Sequence, residues 1–191
     1  MGKLLRPLLI TASFFVLISG SSAQITDKRI DEIDHLYEQT NEAIRVAEEN
    51  APYSEKYVLE IAVNKTGNSY PAVGAYSNVT RFHYTFADRE KNPYPNRLMK
   101  ASVVTKRAAL ITTSDFLYNP AGQLVYGIVR TDGEEQRETR LYFAAGLLIR
   151  LIDGGREVNV RNRNVLATSA AFKRESARLT ALFAAALKEG L

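Results

Sequence analysis

No cysteine occurs among the 191 residues. That excludes disulfides, lipid attachment through a thiol, and the usual zinc sites, which combine Cys with His. Histidine is nearly as scarce, with only His35 and His83, so neither a metal nor another cofactor is implied. No Gly-x-Ser-x-Gly elbow, Ser-x-x-Lys pair, Walker loop or dinucleotide fingerprint is present, and Gly154-Gly155 reads as a turn. Glu134-Glu135 is a carboxylate pair in a hairpin loop, which solvation explains. His35 reads as a helix surface residue. His83, beside Arg81, would need a nucleophile partner supplied by the fold to act as a base. No catalytic residue is assigned.

An excess of one charge is also lacking. The formal net charge is +4, but Lys3 and Arg6 are two of the 25 basic residues, and without them 23 face 21 acidic ones. That balance argues against nucleic acid or an anionic membrane as the main partner.

Those two cations open the one segment with a clear address. Lys3 and Arg6 precede an apolar stretch from Pro7 to Ile18, and Ser21-Ser22-Ala23 places small residues before a cut at Gln24. This is the three-part pattern of an export signal, so residues 1–23 are expected to be removed. The competing reading is an uncleaved anchor. However, the stretch falls short of the roughly 20 residues a spanning helix needs, and Gly20 interrupts it. Residues 24–191 then form a single domain in the periplasm or outside the cell, without a transmembrane span. Lacking disulfides, that domain must rest on its hydrophobic core, and a chain of this size buries roughly 70% of its surface. The combination points to a bacterial envelope or secreted protein.

The mature chain reads as α+β: an amino-terminal helix, an antiparallel meander of about seven to eight strands, and a carboxyl-terminal helix packed on the sheet. Thr26 to Asn50 is the first helix, with Ile30, Ile33, Tyr37, Ile44 and Ala47 along one stripe. Asp27, Asp31, Glu32 and Asp34 suit the positive end of its dipole. A period of two begins at Tyr57 and continues through Val73–Phe86, Leu98–Lys106 and Leu110–Tyr118, with a polar break from Asp88 to Arg97. Asn119-Pro120-Ala121-Gly122 is a type I turn that pairs Tyr118 with Gln123 and Phe116 with Val125. The next hairpin pairs Arg130 with Glu138 and Thr131 with Arg137. A three-residue loop, Ala144-Ala145-Gly146, pairs Phe143 with Leu147 and Leu141 with Ile149. The inner face is then Phe116, Val125, Val129, Leu141, Phe143, Leu147, Ile149 and Leu151. A last strand lies near Glu157–Arg161. Ser169 caps the final helix, whose apolar face carries Phe172, Leu179, Leu182 and Phe183.

The stretches Leu117-Tyr118-Asn119-Pro120-Ala121-Gly122-Gln123-Leu124-Val125 and Leu141-Tyr142-Phe143-Ala144-Ala145-Gly146-Leu147-Leu148-Ile149 are alike. They resemble the Tyr-x-x-Gly-x-Leu hairpin units of bacterial meander-repeat proteins, including MORN-like and Rhs-like repeats. The same spacing arises in any antiparallel meander, and the resemblance implies no catalytic residue.

The second sheet face is the candidate site. It carries Leu117, Leu124, Tyr126, Ile128, Tyr142 and Leu148 with Arg130, Glu138, Arg140 and Arg150 among them, too apolar for full solvation. Tyr126, Arg130, Glu138, Arg140, Tyr142 and Arg150 form a surface suited to an unknown protein or small-molecule partner. The alternative is a core face, covered in part by the second helix, with cross-strand ion pairs at its rim. The first functional expectation is a non-catalytic exported binding domain. A self-assembling envelope protein comes second and an enzyme third.

Overall fold

The computed structural model describes residues 21–71, 74–86, 97–133 and 135–190. Most of the segment expected to be an export signal, Val73, Asp88 to Asn96 and Glu134 lie outside the described residues. Among the described residues, two helices enclose an antiparallel sheet of nine strands: α1 Ser21–Glu49, β1 Tyr57–Val63, β2 Ser69–Tyr70, β3 Gly74–Thr85, β4 Arg97–Arg107, β5 Leu110–Tyr118, β6 Leu124–Asp132, β7 Arg137–Ala144, β8 Leu147–Asp153, β9 Arg156–Val158 and α2 Arg163–Gly190. The strands follow the path β1-β3-β4-β5-β6-β7-β8-β9, and β2 pairs with β3 beyond the end of β1. The fold is the expected α+β meander, and β2 is the strand too short to read from periodicity.

Alternate residues of the same strands enter two separate cores, which places the helices on opposite faces. Phe116, Leu141, Phe143 and Leu151 pack with Val165, Phe172, Leu179 and Phe183 of α2. Leu117, Val125, Tyr126, Ile128 and Tyr142 pack with Ile30 and Ile33 of α1. The inner face is therefore corrected at three positions. Val125 and Ile149 turn towards α1, Leu147 is 68% exposed, and Leu124 and Leu148 lie on the α2 side.

The cause is a β-bulge in each returning strand. Tyr84 pairs with Leu98 and His83 with Lys100, so Met99 is extra. Tyr118 pairs with Leu124 and Leu117 with Tyr126, so Val125 is extra. Phe143 pairs with Leu148 and Tyr142 with Arg150, so Ile149 is extra. At the last two bulges consecutive residues are directed to one face, which a strict period of two forbids. The expected pairings of Phe116 with Val125 and Leu141 with Ile149 fail by two residues, one from the bulge and one from the turn. The turns alone move Tyr118 from Gln123 to Leu124 and Phe143 from Leu147 to Leu148. Phe116 faces Gly127, and Leu141 faces Leu151. The β7–β8 loop is the two-residue form, with Ala145 and Gly146 at φ of 49° and 75°, the geometry of a type I′ turn. Only the β6–β7 hairpin, free of a bulge, has the register read from its sequence, with Arg130 opposite Glu138 and Thr131 opposite Arg137.

The bulges share one level of the sheet. The row Val58, His83, Lys100, Leu117, Tyr126, Tyr142 and Arg150 runs strand to strand beside all three extra residues. Bulges increase twist and bend the strand that carries them, so their alignment creases the sheet along the line where α1 lies.

On the opposite face, α2 is capped by Asn162, whose Oδ1 accepts from the Asn164 amide at 2.8 Å. Ser169, expected to be the cap, lies within the helix and is buried. It belongs to a stripe with Val165, Phe172, Ser176, Leu179 and Phe183, at alternating steps of four and three residues. The small serines let large neighbours reach the sheet, and Ser176 also hydrogen-bonds the Tyr118 hydroxyl at 3.1 Å. Phe172 stacks on Phe116 at 4.2 Å and lies directly over Gly127. A Cβ at that glycine would stand 2.1 Å from Phe172 Cε1, so any side chain there must displace the ring. Gly127→Ala is expected to cost about 2–4 kcal/mol through overpacking of a closed core. Urea denaturation of the variant measures this, with the midpoint lowered.

Candidate functional site

The first helix is held to the sheet by polar pins at regular intervals. Asp27 Oδ1 accepts from Arg150 Nη2 at 2.5 Å, Asp34 Oδ1 from the Tyr142 hydroxyl at 3.0 Å, and Asn41 Oδ1 from Lys100 Nζ at 2.8 Å. Glu48, one heptad further, lies within the electrostatic reach of His83. Residues seven apart share a helix face, and their partners lie on β8, β7, β4 and β3 in turn. Thus α1 crosses the strands along the bulged row. From residue 27 to 48 the helix rises about 31 Å, comparable with the roughly 24 Å across five strand spacings. The acidic residues are not in the first turn, as the dipole argument expected, because the helix already runs at Ser21. Asp27 and Asp34 are docking groups.

At the centre of this seam is a buried ion pair. Asp115, 5% exposed, accepts from the Tyr37 hydroxyl at 2.8 Å and lies 3.1 Å from Lys100 Nζ. Lys100 also sits 5.3 Å from the centre of the Tyr37 ring, a cation–π distance. Burial, and then the Asp115 charge, push the Tyr37 hydroxyl above its ordinary pKa, so it stays a donor. His83, close by, is buried, and desolvation followed by the Lys100 charge lowers its pKa. It is held towards the neutral form.

Of the six residues expected to form a binding surface, two are core. Tyr126 and Tyr142 are 2% and 1% exposed, under α1. Their rings meet edge to face at 5.0 Å, and Tyr37 packs on Tyr126 at 4.8 Å. Desolvation, with Asp34 as acceptor, pushes the Tyr142 hydroxyl up to about 12. The face is covered by the first helix, not the second, which answers why it is so apolar. Arg150 is half-buried at its edge, tied to Asp27 and 3.3 Å from Glu157.

Arg130, Glu138 and Arg140 remain at the rim, on the solvent side of the helix. Glu138 accepts from Arg130 Nε at 2.9 Å and from Arg140 Nε at 2.6 Å. Burial opposes its charge, but these two hydrogen bonds outweigh that and hold its carboxyl below the usual range. Each guanidinium reaches Glu138 through Nε, and Arg130 Nη1 stands 3.8 Å from Asp115. Lys100, Arg130 and Arg140 thus share two carboxylates, a local excess of positive charge. Beside them opens a crevice of about 590 Å³ lined by Ile111, Thr113, Arg130, Asp132, Gln136 and Glu138, among others.

Sequence reading missed Asp34, Tyr37, Asn41, Lys100 and Asp115. The one available signal was the heptad of polar residues at 27, 34, 41 and 48, which looks like solvated helix surface until a sheet is laid against it. Among the described residues, no group of three or more His, Asp or Glu could hold a metal, and no helix is long and apolar enough to cross a membrane.

Removing one member of a buried pair strands the other. Asp115→Ala is expected to cost about 3–5 kcal/mol, and Asp115→Ala combined with Lys100→Met to recover much of that loss. A double-mutant cycle by chemical denaturation measures the coupling. In comparison with known proteins, no family model, no curated protein and no solved structure matches this chain.

Proposed function

We propose that the chain is an exported, non-catalytic binding domain that takes a small anionic solute in the crevice beside Arg130. The observation that carries this reading is the arginine pair around Glu138. The carboxylate fixes both guanidiniums through Nε; Arg130 Nη1 also stands 3.8 Å from Asp115, and the remaining N–H groups of Arg130, which lines the crevice, are donors for a carboxylate or phosphate ligand. Glu138 and Asp115 are each engaged by cations or a phenol, and the two arginine hydrogen bonds that hold Glu138 ionised suit it to binding better than to proton transfer. Export rests on residues 1–23, whose cationic start, apolar middle and small residues before Gln24 have the order of a cleaved signal.

The test is calorimetric titration with succinate and with inorganic phosphate, using protein recovered from outside the cytoplasm, whose first residue is expected to be Gln24. Saturable binding of at least one anion is expected, with affinity reduced about tenfold or more in Arg130→Gln. Absence of binding by both anions, or binding indifferent to Arg130→Gln, contradicts the crevice assignment.

A further inference from the structure

The near balance of charge over the chain is a difference between two unlike faces. Helix α1 carries eight acidic residues against three basic ones, and α2 five basic against two acidic. The helices cover opposite faces of the sheet, so the domain is negative on one side and positive on the other. On the α1 side, Asp31, Glu32, Glu38, Glu42, Glu48 and Glu49 are exposed.

The positive side is long and open. Arg163, Arg174, Arg178 and Lys188 are exposed and lie opposite the buried stripe of α2. They are spread over a helix of 28 residues, about 42 Å in length. Of these four, Arg178 alone has an ion pair among the described residues, with Glu175 at 2.6 Å. Two exposed leucines flank the helix. Leu147, 68% exposed at the β7–β8 turn, and Leu166, 53% exposed on α2, line one crevice of about 370 Å³ with Arg161 and Lys173. Lys173 Nζ donates to the Gly146 carbonyl at 3.1 Å and so holds that turn beside the helix.

We infer that the α2 face docks on an anionic phospholipid bilayer, with Leu147 and Leu166 entering its interface and the acidic α1 face turned away. The distribution of the charges selects that occupant. Cations strung along a whole helix match an extended anionic surface, whereas a small anion needs them to converge on one point. Leucines ringed by Arg and Lys suit the boundary of headgroups and acyl chains, where the apolar groups enter and the cations meet phosphate. Nucleic acid would leave the leucines without a counterpart, and the rings on which bases could stack, Phe172 and Phe183, are buried. The acidic face of a second copy is a poorer partner, because Glu32, Glu42 and Glu49 are already paired with Arg29 and Arg45 of their own helix.

Co-sedimentation of the purified protein with vesicles tests this, with circular dichroism melts to establish that each variant folds. One set of vesicles is phosphatidylcholine alone, and the other is equal parts of phosphatidylcholine and phosphatidylglycerol. At low salt, affinity for the mixed vesicles is expected to exceed that for the neutral ones by about tenfold or more. Reading the ratio removes any uncharged contribution of the apolar residues 7–18. Arg163→Gln combined with Arg174→Gln abolishes most of the excess, and Leu147→Ser combined with Leu166→Ser weakens binding to the mixed vesicles several-fold. Equal binding to both kinds of vesicle, an excess that survives the arginine substitutions, or indifference to the leucine substitutions each overturns the inference. So do salt-sensitive oligomers with no excess on mixed vesicles, which identify a second copy as the occupant.

Discussion

Three strands return across this sheet with one residue too many, and they do so at the same level. Met99, Val125 and Ile149 each sit between a leucine on the α2 side and a long amphipathic residue on the α1 side: Leu98 and Lys100, Leu124 and Tyr126, Leu148 and Arg150. An isolated bulge bends one strand. Three in register bend a sheet, and they add Val125 and Ile149 to the face that must receive a helix. The amphipathic residues next to the bulges then supply the groups that hold it.

The two faces use different physics. On the α2 side, fit decides, with the Phe172 ring lying flat where Gly127 offers no side chain, between Phe116 and Phe143. On the α1 side, the apolar seam is shorter, and polar pins at Asp27, Asp34, Tyr37 and Asn41 set where the helix lies. Buried ionic contacts of this kind contribute little net stability against an apolar alternative, but breaking one is costly. Their role is to define one position of α1 along the row. The same placement leaves Arg130, Glu138 and Arg140 uncovered, so the rim lies along β6 and β7 beside the helix, off the row it covers.

Much of this architecture was legible in the chain. Period-two stretches located the main strands, and turn residues located the hairpins. The β6–β7 hairpin could be registered because nothing interrupts it. Bulges were not legible one at a time, since an extra residue changes no local composition. Comparing the three returning strands would have shown the recurrence of leucine, bulge residue and amphipathic residue. The rim pair Arg130 and Glu138 followed from register, whereas the burial of Tyr126 and Tyr142 did not, because it depends on which helix crosses which face. Asp115 looked like any strand carboxylate. Ser169 looked like a cap because a small polar residue before an apolar stripe is the usual cap signal, yet here it makes room inside the stripe.

The central claim is that α1 is an integral layer of the domain, fixed along the bulged row. Native-state hydrogen exchange tests it directly. If the pins and the seam act as described, the amides from Ile30 to Asn41 exchange with the same opening free energy as the central residues of β6 and β7, through global unfolding. Exchange of those helix amides through a local opening several kcal/mol smaller, with β6 and β7 still protected, would contradict it.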